Sequence, residues 1–336
     1  MHTFEIITDS AVNLPDSYRI GRSIHVIPFR YTCDGKEYSC LEEGTSFSER
    51  AKKFYELLSS GADIKTSLIS ESRFFEKAEP FLAAGKDVLF LTIASGISGT
   101  YRQAMAAAET LSRKYPNQTV IAIDSANASM GQGLLALKAA DLRDMGESCL
   151  SAAEWLQQNT YKLNSYLTVD SLKYLKKSGR ISALAAIAGA LLSIKPVIRA
   201  DGSETPKLAV CGKEHGRKKS ISALLRAFKE NAVNPETQIV AITHAGCEAE
   251  AAALAEEVKK LGVKDVIIEY YDLCTGAHVG PGTIALFFMG RDRRTSMALT
   301  PERCGKRKKR TNYKLRNLFH SILHFYGIRN KARMRI

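Results

Sequence analysis

The segment Val88-Leu89-Phe90-Leu91-Thr92-Ile93-Ala94-Ser95-Gly96-Ile97-Ser98-Gly99-Thr100-Tyr101 holds the residues best suited to chemistry. Four apolar residues give way to the hydroxyls of Thr92, Ser95, Ser98 and Thr100, with Gly96 and Gly99 between them. Each hydroxyl can donate one hydrogen bond, and glycine lets the backbone approach a ligand closely. Between a buried strand and a helix, such a loop aims N–H groups and hydroxyls at an anion beyond the strand's carboxyl end. A carboxylate or a phosphate suits that geometry. Two further polar signals can converge on it. One is Thr66, which taken alone is a turn hydroxyl. The other is His278, which sits in Gly276-Ala277-His278-Val279-Gly280-Pro281-Gly282 and so reads as part of a rigid loop. His278 can serve structurally by donating to a carbonyl, or functionally by hydrogen-bonding a ligand head group directly or through water.

Other readings compete at each position. Ser98 is equally suited to cap the helix that follows it. Ser98 and His278 as nucleophile and base would define an acyl hydrolase or transferase. However, Gly96-Ile97-Ser98-Gly99 misses the G-x-S-x-G elbow by one place, and no orienting acid accompanies the histidine. Arg180 follows Gly179 and can pair with an acid such as Asp170 or hold a ligand. Asp9-Ser10 and Asp124-Ser125 close strands and suit helix caps; nothing nearby completes a metal coordination set.

The elements that must position these residues alternate. Strands are predicted at Phe4–Thr8, Ser23–Phe29, Val88–Leu91 and Thr119–Ile123. Helices are predicted over 46–60, 72–84, 101–115, 131–145 and 151–160, with 131–145 amphipathic through Leu134, Leu135, Leu137 and Leu142. Repeated β-then-α units imply a largely parallel sheet with helices on both faces. After residue 160 the pattern changes. Strands at 165–169, 195–198, 237–243, 265–271 and 282–288 mix with helices at 171–177, 182–193, 216–232 and 248–261, and Asp201-Gly202 marks a hairpin. The fold class is therefore α/β in residues 1–160, followed by a smaller α+β domain over 161–292 and a basic tail over 293–336.

Charge separates the tail from the body. Of 48 Lys and Arg, 14 lie between Arg293 and Ile336, with Glu302 the one acid there; residues 1–292 hold 34 of each sign. The body is formally neutral, and the net +13 gives it no nucleic-acid footprint. Seven scattered cysteines without a C-x-x-C pair argue against a disulfide framework or structural zinc. No apolar run approaches the roughly 20 residues of a membrane span, and the amino terminus lacks a signal-peptide pattern, so a cytoplasmic protein is expected.

Eight collinear segments carry a resemblance: ITDSAVNLP, HVIPFRYTCDGKEY, KTSLIS, SGISGTY, AIDSANASMGQG, YLKKSGRIS, IKPVIRADG and GAHVGPGTIALFF. Together, over about 1–292, the chain resembles the DegV family of bacterial fatty-acid-binding proteins. The resemblance implies a two-domain α/β fold enclosing one long-chain fatty acid, such as palmitate, stearate or oleate, in an inter-domain tunnel. It implies that Thr66 and Ser98 hold the carboxylate and that His278 contributes to the same polar end; Gly96, from the small-residue loop, and Arg180 are expected to complete the fatty-acid site. It further implies a carrier without catalytic residues, metal or cofactor, serving phospholipid synthesis through a partner fatty-acid kinase of the dihydroxyacetone-kinase type. Two residues depart from the family pattern. Leu68-Ile69 stands where the family commonly has Gln-Pro, and His215 stands where an Arg is common.

Burial of a lipid chain is energetically adequate on its own. At about 0.8 kcal/mol per CH₂, ten methylenes give about 8 kcal/mol, while the carboxylate needs only hydrogen-bond donors on burial. The apolar stretch 183–192 is a plausible tunnel wall or plain core. In the tail, Lys306-Arg307-Lys308-Lys309-Arg310 precedes Leu315, Leu318, Phe319, Ile322, Leu323 and Tyr326 at helical spacing. That pattern describes an interfacial helix for an anionic membrane surface, which would add peripheral membrane contact. A lipid-responsive regulator using the tail on nucleic acid is the rival reading.

Overall fold

The computed structural model describes residues 4–42, 44, 46–182 and 194–296, so the stretch 183–192 and the tail beyond 296 lie outside the described residues. The apolar runs become strands because residues buried on both faces can satisfy their backbone only in a sheet. In chain order these are β1 (Phe4–Asp9), β2 (Ile24–Ile27), β3 (Arg30–Cys33), β4 (Lys36–Ser39), β5 (Lys65–Ser67), β6 (Asp87–Thr92) and β7 (Val120–Asp124). They continue with β8 (Leu163–Thr168), β9 (Ile181–Ser182), β10 (Ile194–Ala200), β11 (Leu208–His215), β12 (Ile239–His244), β13 (Asp265–Tyr270) and β14 (Ile284–Met289).

The order β2-β1-β6-β7 makes a four-stranded sheet, parallel throughout, with Ile6 opposite Leu89 and Leu89 opposite Ile121. Pro28 falls just past the end of edge strand β2, where its missing N–H costs nothing. Helices Glu71–Ala83 and Thr100–Lys114 pack together against this sheet, and Met130–Asp144 with Cys149–Asn159 form a second pair. The second sheet runs β13-β12-β14-β8-β10-β11-β9 and mixes directions. Its β10–β11 hairpin turns at the expected Asp201-Gly202. A small antiparallel sheet, β4-β3-β5, sets Thr66 opposite Tyr31.

The two large sheets share one core. A single apolar cluster includes Phe4 and Phe90 from the first and Leu167 and Phe287 from the second. Between them runs the helix Met130–Asp144, touching β1 and β6 on one side and β8, β12 and β14 on the other. The sequence predicts it amphipathic, but it is buried on both sides because it is sandwiched. Gly133 makes this approach feasible: a Cβ there would stand 2.6 Å from the Val12 carbonyl oxygen. A second cluster, with Phe228, Leu254, Val258 and Phe288, seals the outer face of the seven-stranded sheet beneath helices Arg217–Asn231 and Glu248–Lys259.

Candidate functional site

Thr66, Ser98 and His278 come from three separate elements and line one cavity of about 290 Å³. Thr66 lies on β5, not in a turn, because β3 supplies its backbone partners. His278 lies in the last turn of a short helix, Leu273–Val279, where the glycine-rich sequence reads as a loop. The reason is the start of that helix. Asp272 Oδ1 accepts from the N–H groups of Cys274 (2.9 Å) and Thr275 (3.0 Å), which offsets the poor helix propensity of Gly276. Thr66 Oγ1 and His278 Nε2 are 2.8 Å apart, a hydrogen bond that joins the two ends of the chain's body.

Ser98 Oγ accepts from the Thr100 N–H at 3.2 Å and lies 2.9 Å from Thr100 Oγ1, so it satisfies the mouth of the helix Thr100–Lys114 while facing the cavity. Its hydroxyl partner is Thr100, and the partner of His278 is Thr66; the serine–imidazole pair of a hydrolase is not formed. Arg180 also lines the cavity, following Gly179, which ends a helical turn at φ 69°. Asp170 is engaged by Lys195 at 2.5 Å, and among the described residues no acid forms an ion pair with Arg180. Gly96 lies outside the lining, packed on the backbone of the loop that follows Asp201. A Cβ there would meet the Thr205 carbonyl oxygen at 2.5 Å.

Burial pushes the His278 imidazole down to about 4, and the nearby Arg180 cation adds to the shift. The ring is therefore neutral at physiological pH. Beside it stand a hydroxyl and a guanidinium, which together can donate several hydrogen bonds to a buried carboxylate. The rest of the cavity is mainly apolar, with Phe29, Ile93, Ile97, Leu167, Leu175 and Phe287 in its wall. One polar end and an apolar body suit an amphiphile with a single anionic head.

The sequence model of an uncharacterised protein family named DegV matches residues 3–291. The chain belongs to the DegV family. A DegV domain-containing protein of Clostridium perfringens is 38% identical over 292 residues, 86% of this chain and 98% of that protein. Among solved structures, a fatty-acid-binding DegV family protein from Thermus thermophilus matches with a TM-score of 0.76 at 27% identity, over 87% of this chain and 100% of its own. DegV of Bacillus subtilis, described as a fatty acid binding protein, matches with a TM-score of 0.73 at 28% identity, over 87% and 100%. The DegV fold, with its parallel sheet and second sheet, is thus shared across these proteins. Among the described residues no helix is long and apolar enough to cross a membrane, and no group of three or more His, Cys, Asp or Glu is gathered to hold a metal.

Several residues of this DegV site escape sequence reasoning because they act through the backbone. Asn13 Oδ1 accepts from the Asp272 N–H (2.8 Å) and the Ser129 hydroxyl (2.9 Å), tying the first loop to the helix that carries His278. Tyr55 Oη donates to the Tyr271 carbonyl at 2.9 Å from the opposite side. Ser129 and Asn127 also face the cavity; the hydroxyl-rich run after β7 is their one visible signal.

Beneath this network Asp9 is fully buried, and burial pushes its carboxyl up to about 7 against the donors Ile93, Gln132 and Ala11 that hold its charged form. Its contribution to stability is complete below its unfolded value near 4 and is lost as pH rises through about 7. His278 works the other way: its contribution is present above 6.5 and is lost as pH falls through about 4. Above pH 6.5 the Asp9 effect is therefore free of the His278 effect. The thermal midpoint is expected to fall between pH 6.5 and 8, and Asp9→Asn to flatten that decline. Equal slopes for both proteins in thermal melts would contradict it.

Proposed function

We propose that this protein is a non-enzymatic carrier. It binds one long-chain fatty acid in the cavity between its two sheets, with the carboxylate at Thr66, Ser98, His278 and Arg180. It presents that carboxylate to a partner fatty-acid kinase of the dihydroxyacetone-kinase type, which forms the acyl phosphate. The observation that carries this reading is the Thr66–His278 hydrogen bond at the polar end of an otherwise apolar cavity. The fatty-acid-binding descriptions of the Thermus thermophilus and Bacillus subtilis relatives support the ligand class. The kinase follows from the family resemblance. A neutral imidazole and hydroxyls orient the carboxylate and the Arg180 guanidinium holds its charge, while a carboxylate oxygen remains free to attack a phosphoryl donor.

Native mass spectrometry with organic extraction tests the first half. One fatty acid per chain is expected, with at least about tenfold weaker retention of palmitate in Thr66→Ala/Ser98→Ala, the loss of about 1.4 kcal/mol of head-group hydrogen bonding. An apo mass and no uptake of palmitate or oleate would remove the lipid assignment. The second half is tested by adding a purified fatty-acid kinase and ATP: acyl phosphate should appear only with both proteins present. Hydrolysis of an acyl ester by the chain alone would instead favour an enzyme.

A further inference from the structure

Two buried cysteines, far apart in sequence, meet where the small sheet faces the helix that carries His278. Cys40 directly follows β4, and its N–H donates to the Phe29 carbonyl at 2.9 Å. Cys274 lies in the helix Leu273–Val279, one turn before His278 and so on the same helix face. Asp272 stands between them. Its carboxylate accepts from the Cys274 N–H at 2.9 Å, and it shares with Cys40 the wall of a further cavity of about 230 Å³. The two thiols are within hydrogen-bonding reach of each other, and neither is in a disulfide. Cys274 also lines the cavity of Thr66, Ser98 and His278, so a small solute there can reach its sulfur.

We propose that Cys40 and Cys274 are a reversible redox pair, whose disulfide locks the helix carrying His278 to the sheet carrying Thr66. The inference rests on the fatty-acid reading for its consequence, which is control of lipid exchange at that site. Strand β4 pairs with β3, and β3 with β5, so a bond at Cys40 holds the strand that bears Thr66. The Thr66–His278 hydrogen bond at this joint can open and reform, whereas a disulfide makes the closure covalent. An acyl chain held behind it then exchanges more slowly. The oxidant is a small hydroperoxide. Cys274 Sγ attacks one peroxide oxygen, the O–O bond breaks, and the displaced oxygen leaves as water with the thiol proton. Cys40 Sγ then attacks the sulfenic sulfur, the S–O bond breaks, and a second water carries off the second proton. Two thiols thus give up two electrons and two protons, and hydrogen peroxide becomes two waters. Burial pushes the Cys40 thiol well up, which keeps it protonated and leaves the first attack to Cys274.

The test treats the full chain with hydrogen peroxide, maps its disulfides by mass spectrometry of peptides, and follows the thermal midpoint and the release rate of palmitate. A disulfide between Cys40 and Cys274 is expected. It should raise the thermal midpoint by at least about 5 °C and slow palmitate release at least about tenfold. Dithiothreitol should reverse all three changes. Cys40→Ala should show neither shift after peroxide; the reversal by dithiothreitol supplies the same control on the wild-type protein should that variant fold poorly. Oxidation of Cys274 without the cross-link, or no reaction of either thiol, would overturn the redox pair. A disulfide that leaves palmitate release unchanged would overturn the lock while the fatty-acid reading stands. A reduced protein that binds no palmitate would overturn both readings together.

Discussion

Gly276→Ala is expected to disrupt the Thr66–His278 end of the cavity as thoroughly as removing His278. A Cβ at position 276 would collide with the Tyr55 hydroxyl and stand 2.8 Å from Cζ of the same ring. Tyr55 cannot swing aside. It is buried, its hydroxyl is bonded to the Tyr271 carbonyl, and its ring is packed edge-on against Phe54 and stacked near Tyr270. The strain therefore falls on the helix Leu273–Val279, which must move away and take His278 off Thr66. Overpacking of this kind costs about 3 kcal/mol, and at least about tenfold weaker palmitate binding should accompany the loss of stability. Tyr55→Phe removes the nearest colliding atom but also a hydrogen bond worth about 1 kcal/mol. In a double-mutant cycle the pair Gly276→Ala/Tyr55→Phe should be less destabilised than the sum of its single changes. Simple additivity in denaturant melts would show that the helix absorbs the methyl elsewhere.

That helix also shows where sequence reasoning stops. The parallel sheet was legible because strands buried on both faces are written as continuous apolar runs, as in Val88–Leu91. The loop carrying Ser98 was legible as a strand-to-helix turn because strand and helix signals bracket it. Helix Leu273–Val279 was not: glycine at 276 argues against it, and the decisive favourable term is the Asp272 side chain capping two N–H groups. Strand β11 was also hidden. Its apolar run, Leu208-Ala209-Val210-Cys211, is at most half-buried and is cut short by Gly212, Lys213 and Glu214; pairing with β10 carries the strand on through these residues to His215. The convergence of Thr66 with His278, 212 positions apart, follows from how the sheets stack, and local pattern holds no trace of it. Family resemblance pointed to both residues, whereas their mutual hydrogen bond is a structural finding.

Arg293 carries the last of these lessons. In the sequence its charge counts with the basic tail, yet its side chain is buried in the body. Nη1 donates to the Asp201 carbonyl at 2.9 Å, and Nη2 donates to those of Ala126 (3.0 Å) and Thr160 (3.3 Å). One planar fork thus ties the loop after β7, the turn before β8 and the β10–β11 hairpin, three segments that share no backbone ladder with one another. Burial pulls the guanidinium down to about 10, which leaves it charged at neutral pH. Its face lies 5.4 Å from the Tyr161 ring, adding a cation–π contact to the three hydrogen bonds. Arg293→Met keeps the volume but leaves three buried carbonyls without this donor, a loss of about 3 kcal/mol. Ala126 also lines the cavity of Thr66, Ser98 and His278, so on the proposed function loosening that loop should weaken palmitate retention without touching those three residues. Arg293→Lys should recover only part of the stability, since an ammonium cannot reproduce the fork that reaches separate carbonyls. Urea denaturation of both variants decides the matter. A methionine variant as stable as the wild type would mean that packing and the remaining bonds, Asn127 Nδ2 to the Thr160 carbonyl and Tyr161 Oη to the Ser203 carbonyl, suffice to hold the three segments.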